Sequence, residues 1–416
     1  MDMKKWTVVV SLMSASVLAA CSNGGDEGTN GASEAADGEP RQLLIWANDD
    51  DEEHVAALAA GFTEETGIEV EVVPFAMDEQ EQSISLDGPS GRGPDLFYQP
   101  GVGNLALTGL VQPMEVDEEI LAQYSEGSTE ALSYQGELYG LPAVVETLAM
   151  YYNQDVIPEA PETMEELEAI AADMTDPSND QFGFLYPATD FYFSFPFMAG
   201  YGAYIFAEEE GVYDQTDVGL ANDGAIQAGE MFQRWYENGY LMVGVNNDIA
   251  QGLFTDGNVA AIINGPWALR ELEESLGDSL ATAPLPQLDN GEYPRTFLGT
   301  KGWMLSEYSD YPEEATQLAI HLTSEESLAE FYRATGEMPA NSALLESEEF
   351  QNDPLLTGFA TQLERAEPFI PLPALSAVWD PMADALEFIS TGENVEEALE
   401  ESVEMIETDI SQFYTE

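Results

Sequence analysis

Eighty Asp and Glu, six Trp, two His and one Cys are the side chains through which this 416-residue chain could do chemistry. A single Cys excludes an intramolecular disulfide and any zinc site built from several cysteines. Two imidazoles, His54 and His321, are too few for a His-rich metal centre and argue against a Ser–His–Asp enzyme. No stretch fits the calcium-loop pattern of alternating acids closed by a glutamate. No catalytic motif, metal site or cofactor is expected. What remains is a repertoire of carboxylates and aromatic rings, which serves a binding cleft or a pair of hydrolytic acids equally well.

Ten Lys and Arg against eighty acids give a formal net charge of −70. A phosphate backbone needs cations to displace its counterions, so nucleic acid is excluded as a partner. Docking on an anionic membrane through a basic patch is disfavoured for the same reason. Yet 44% of the residues are hydrophobic and 10% aromatic, enough for a packed core, so the chain is not globally disordered. Acids recur along the whole body. Charge of one sign at that density repels itself unless salt screens it, and at about 1 M salt the Debye length is roughly 3 Å. Adaptation to high salt, with carboxylates spread over the solvent face, is the expectation.

Lys4 and Lys5 precede an apolar stretch, Trp6 to Ala20, that falls short of the roughly 20 residues of a membrane span. It reads as a secretory signal. Its end, Leu18-Ala19-Ala20-Cys21, resembles a bacterial lipoprotein cleavage site. That resemblance implies removal of residues 1–20, lipidation of Cys21, and a place on the outer face of the cell membrane. Residues 21–41 are polar and small, and read as an acidic tether.

The length predicts two or three domains. Gln42–Ala47 reads as a strand, His54, Val55, Leu58, Ala59 and Phe62 as a helix face, and Ile68–Val73 as a second strand, making a βαβ unit and a parallel sheet. Leu96-Phe97-Tyr98, Leu138–Pro142, Thr147–Tyr152 and Val259–Ile263 read as further strands. Thr163 with Glu166 signals a capped helix start. Ala221–Glu237 and most of the chain after Tyr311 read as helical. Asp190–Pro196 reads as extended, with Phe193, Phe195 and Phe197 on one face. The fold class expected is α/β, in two lobes.

Five strings occur in a recognisable order: Gly93-Pro94-Asp95, Tyr139-Gly140-Leu141-Pro142, Glu146–Asn153, Asn264-Gly265-Pro266-Trp267 and Ser376-Ala377-Val378-Trp379. With them the chain resembles the extracellular solute-binding proteins of ABC importers, and among these the maltose- and maltodextrin-binding group, from Leu43 to Phe413. The resemblance implies a periplasmic-binding-protein-like fold with a hinge and an interlobe cleft. The amino-terminal lobe would be 42–145 and 298–338, the carboxy-terminal lobe 146–297 and 339–416. The partners implied are an oligosaccharide and the permease subunits of an importer, with the protein acting as a monomer.

A sugar needs plates for its C–H faces and acceptors or donors for its hydroxyl edge. Matching the family's motifs puts Trp267, Trp379 and Tyr192 at aromatic contacts and Glu146 and Asp190 at carboxylate contacts. Asn48 and Asp50 match polar contacts of the amino-terminal lobe, and Tyr98 or Gln99 stands where the family has a Trp. Two departures stand out: Asp51 where a Lys is frequent, and Ala383 where a basic residue is. For any Trp the plain alternative is core packing. For Asp49 to Glu53 it is a solvated helix start favoured by the helix dipole. Lys301 would either reach the cleft or pair with a nearby acid. Two other functions remain open at this point: a binding protein for another sugar or a polyol, and a glycoside hydrolase.

Overall fold

The computed structural model describes residues 42–125, 127–209 and 212–414. The leader, Cys21 and the tether lie outside the described residues.

The chain opens with the expected strand–helix–strand unit. Helix Glu52–Thr66 buries Val55, Ala59 and Phe62, spaced four and three apart on one face. Gly67 ends it in the left-handed region at φ 75°, its N–H bonding to the Thr63 carbonyl, a conformation glycine adopts without a Cβ clash. Strands Gln42–Ala47 and Glu69–Pro74 pair in parallel, and Leu96–Gln99 pairs in parallel on the other side. Asp95 secures that edge: one carboxylate oxygen accepts from the Leu44 N–H at 2.8 Å and the other from the Ser309 hydroxyl at 2.6 Å.

Strand Phe297–Leu305 completes this first sheet. It runs antiparallel to both Leu96–Gln99 and Gly140–Glu146. The register with Gly140–Glu146 shifts between Lys301 and Gly302. A Cβ on Gly302 would lie 2.3 Å from the Leu141 carbonyl oxygen, so only glycine permits the approach.

The second sheet has the order Leu280–Ala283, Ala149–Asn153, Val259–Asn264, Phe182–Leu185. The last two pair in parallel and the others antiparallel. Its three inner and edge strands from 149, 182 and 259 are buried residue by residue, as their unbroken apolar runs require. Helix Met164–Met174 starts with the Thr163–Glu166 capping box. Helices Asp223–Glu237, Trp379–Ser390 and Val395–Phe413 pack against one another.

One expectation is overturned. Residues 191–200 form a helix, not an extended piece, and Phe193, Phe195 and Phe197 do not owe their burial to strand alternation. Every residue of the helix except Tyr192 is buried, so the run shows no period to read; a helix apolar all round belongs inside. Asp190 caps it by accepting from the Tyr192 N–H at 2.9 Å.

The chain passes from the first sheet to the second directly after Glu146 and returns before Phe297. Thr147 donates to Thr296 at 2.6 Å, tying these two passages together. A third segment joins them: the Val145 N–H bonds to the Met338 carbonyl and the Ala340 N–H to the Ala143 carbonyl, both at 2.9 Å.

Candidate functional site

A cleft of about 350 Å³ lies where the two sheets meet. Gln99 and Glu146 reach it from the first sheet, and Tyr192, Phe369 and Trp379 line it too. Asn104 also lines it, its amide donating to Glu81. A broader groove of about 1060 Å³ lies between the Pro158–Pro161 and Pro284–Pro286 segments. It holds none of the residues expected to bind ligand.

Trp379 opens helix Trp379–Ser390 and is half-buried. Its ring stacks on Phe369 with centroids 6.1 Å and planes 14° apart, and Phe191 and Phe297 meet it edge-on. It therefore serves packing and cleft together. Trp267 sits in the turn after Val259–Asn264. The Asn264 side chain accepts from the Gly265 N–H at 2.9 Å and the Tyr151 hydroxyl donates to the Gly265 carbonyl at 2.8 Å. A Cβ on Gly265 would lie 2.0 Å from the indole, which is why that motif needs glycine before Pro266-Trp267. Trp267 faces the Lys301 ammonium, 5.6 Å from ring centre to Nζ. That is within cation–π range.

Tyr192 stacks on Phe297 and its hydroxyl is buried. Asp190 is exposed, with one oxygen committed to the helix cap. Glu146 ends its strand, buried. Its carboxylate lies 3.0 Å from Lys301 Nζ, and Glu337 lies 2.7 Å from the same atom. Burial alone would lower the Lys301 pKa, but Glu146 and Glu337 outweigh it and hold the group well above its ordinary range. Lys301 is thus a buried ammonium, 5% exposed, paired with acids as one of the two alternatives had it.

The amino-terminal positions are less uniform. Asp50 is exposed, and Asn48 is half-buried with its amide 3.4 Å from Asp51. Tyr98 is 3% exposed, packed on Trp303. It borders a void of about 10 Å³, shared with Asn48 and Asp51, and not the cleft; its ring offers no open plate. Asp51 departs from the solvated helix start expected for it, being only 7% exposed. Its pKa is raised to about 7, first by burial and then by Glu337, with Lys301 and Asn48 opposing.

Sequence reasoning missed Glu337, Phe369 and the burial of Asp51. For the first, the sequence says only that Lys301, the one lysine after Lys5, must find acids if buried; it does not say which. Among the described residues no group of three or more His, Cys, Asp or Glu could hold a metal ion.

The sequence model of bacterial extracellular solute-binding proteins matches residues 57–358. A galactooligosaccharide-binding protein of Bacillus subtilis is 30% identical over 93% of this chain and 92% of its own length. A maltodextrin-binding protein of the same organism is 30% identical over 99% of this chain and 98% of its own. The crystal structure of a cyclo/maltodextrin-binding protein with maltotetraose is 37% identical, with a TM-score of 0.79 over 92% of this chain and 100% of that one. The two sheets, the cleft between them and these matches agree: the chain belongs to the bacterial extracellular solute-binding protein family.

Proposed function

We propose that this protein captures maltodextrin-type oligosaccharides between its lobes and delivers them to the permease of an ABC importer. The observation that carries the reading is the cleft itself: half-buried Trp379, Tyr192 with its buried hydroxyl, and Glu146 line it together. Ring faces suit the C–H surface of a sugar, and the hydroxyl and carboxylate suit its edge. The three joined segments around Glu146, Thr296 and Met338 are the proposed hinge, with the lobes divided at 145/146, 297/298 and 338/339. Closure about a ligand is the switching mode of such proteins. The carboxylate of Glu146 is paired with the Lys301 ammonium at 3.0 Å, which suits it to accept a bond from a sugar hydroxyl.

Leu18-Ala19-Ala20-Cys21 supports lipid anchoring through Cys21 outside the cell, with the acidic tether spacing the lobes from the membrane. A second sugar reading, galactooligosaccharide, is favoured by the relative that bears that name. Calorimetric titration in molar salt with maltodextrins, galactooligosaccharides and polyols separates the two. Tight binding of maltotriose and longer glucans, recovered intact by chromatography, is expected. A preference for galactosides would replace the ligand, and shortened products would overturn the binding-only reading.

A further inference from the structure

Lys301 lies on strand Phe297–Leu305, Glu146 ends strand Gly140–Glu146, and Glu337 immediately precedes Met338. These are the three segments joined at the passages between the sheets. One ammonium meets all three: Nζ is 3.0 Å from Glu146 and 2.7 Å from Glu337, and the strand it stands on supplies the third. The side chains of all three residues are less than a tenth exposed. The register shift after Lys301 and the missing Cβ of Gly302 fix where that ammonium emerges. The same ammonium faces the indole of Trp267. Other titratable groups that face this cluster are Asp51, at the start of the first helix, Tyr98, on the Leu96–Gln99 strand, and Tyr192, on the Phe191–Gly200 helix.

We propose that Lys301 is a positioning residue of the ligand site: it fixes the Glu146 carboxylate as an ionised acceptor for a sugar hydroxyl. The proposal rests on the reading that Glu146 touches sugar. Two buried carboxylates beside each other cannot both stay ionised without a cation. If the ammonium is removed, Glu146 and Glu337 share a proton, and the acceptor for a sugar hydroxyl is lost or turned away. The remaining acids of the chain cannot compensate, since none carries positive charge. An Arg at this position can still pair with both carboxylates, as a guanidinium has five donors in a fork.

The test is a double-mutant cycle on maltotriose affinity, using the full mature chain in molar salt. Lys301→Met, Glu146→Gln and their combination are titrated, with Lys301→Arg and Glu337→Gln alongside. Loss of a charge-assisted hydrogen bond predicts about a ten-fold drop for each single change. If Lys301 acts through Glu146, the combination costs scarcely more than either alone. Arg should restore most of the affinity. Glu337→Gln keeps the Lys301–Glu146 pair and should stay within about three-fold of the parent, since the bond to ligand is intact. Additive losses in the cycle would mean a general structural role and overturn the proposal. So would a Glu337→Gln loss of about ten-fold or more, and this arm, read against the parent, decides the matter where Lys301→Met does not fold. If Glu146→Gln and Trp267→Ala both leave affinity unchanged, the site reading itself has failed, which is a different result.

Discussion

The ring of Tyr192 lies stacked on Phe297, centroids 5.6 Å and planes 21° apart, while its hydroxyl is buried with no hydrogen-bond partner among the described residues. An unmet buried hydroxyl costs roughly 1–3 kcal/mol. A ligand hydroxyl entering the cleft would meet it. Tyr192→Phe keeps the stacked ring and deletes only the polar atom. The variant should melt at or above the parent's temperature without sugar, and bind sugar about five-fold more weakly, the worth of one ordinary hydrogen bond. Paired thermal melts and calorimetry check this. A variant that binds equally well would mean that the hydroxyl does not meet the ligand.

Trp379 separates packing from binding less cleanly than a free-standing plate would. Three Phe rings hold it, yet part of it borders the cleft. Trp379→Ala should therefore lower both quantities: affinity by about 30-fold, as for a truncated hot-spot aromatic, and stability by about 2–4 kcal/mol, within or just below the range for buried Trp. Trp379→Phe should recover most of the stability and part of the affinity. A full stability loss with unchanged titration would make this Trp core alone.

Some of this was legible in residue order and some was not, for physical reasons. Thr163 and Glu166 announce a helix because the capping box is local: two side chains satisfy two backbone donors three residues apart. The βαβ start is legible because an unbroken apolar run, Leu43–Ala47, gives way to spacing near four and then to alternation over Ile68–Val73. The Phe191–Gly200 helix is not, because burial on every side erases the period. The partners of Lys301 are not legible either. Charge attraction has no sequence signature, and eighty acids offer eighty candidates. Asp51 was hidden by its neighbours: Asp49 and Asp50 belong to the same short helical turn, and only the packing of that turn puts the third carboxylate inside.

Salt should govern stability. The net charge of −70 is opposed, among the described residues, by ion pairs that engage few basic groups: Arg92, Arg270, Arg295, Lys301 and Arg333. Most of the carboxylates therefore repel one another through solvent. Their interaction is long-ranged at about 0.01 M salt, where the Debye length is near 30 Å, and is cut to near 3 Å at 1 M. The melting temperature should climb steeply over that interval. A flat profile would contradict the repulsion argument. Salt dependence should be weaker for the Lys301 cluster, which is buried and poorly screened.

Asp51 gives stability its own pH dependence. Its pKa is about 7 in the folded chain, raised by burial and by Glu337, against about 3.9 for an unperturbed Asp. The folded state thus holds a proton that the unfolded state gives up between these values, and stability falls as pH rises through that window. Below about pH 4 both states are protonated and Asp51 costs nothing; above about pH 7 both are ionised and the cost is complete. Three units at 1.36 kcal/mol each make it on the order of 4 kcal/mol. Asp51→Asn replaces the carboxyl with a neutral group of the same shape. Its melting temperature should match the parent's near pH 4, exceed it increasingly up to pH 7, and stay above it by a constant margin beyond. Differences between parent and variant cancel the general acid response of the other carboxylates. A gap that does not change between pH 4 and pH 8 would show that Asp51 titrates as an ordinary surface acid, and that the buried cluster around Lys301 accommodates a third negative charge without strain.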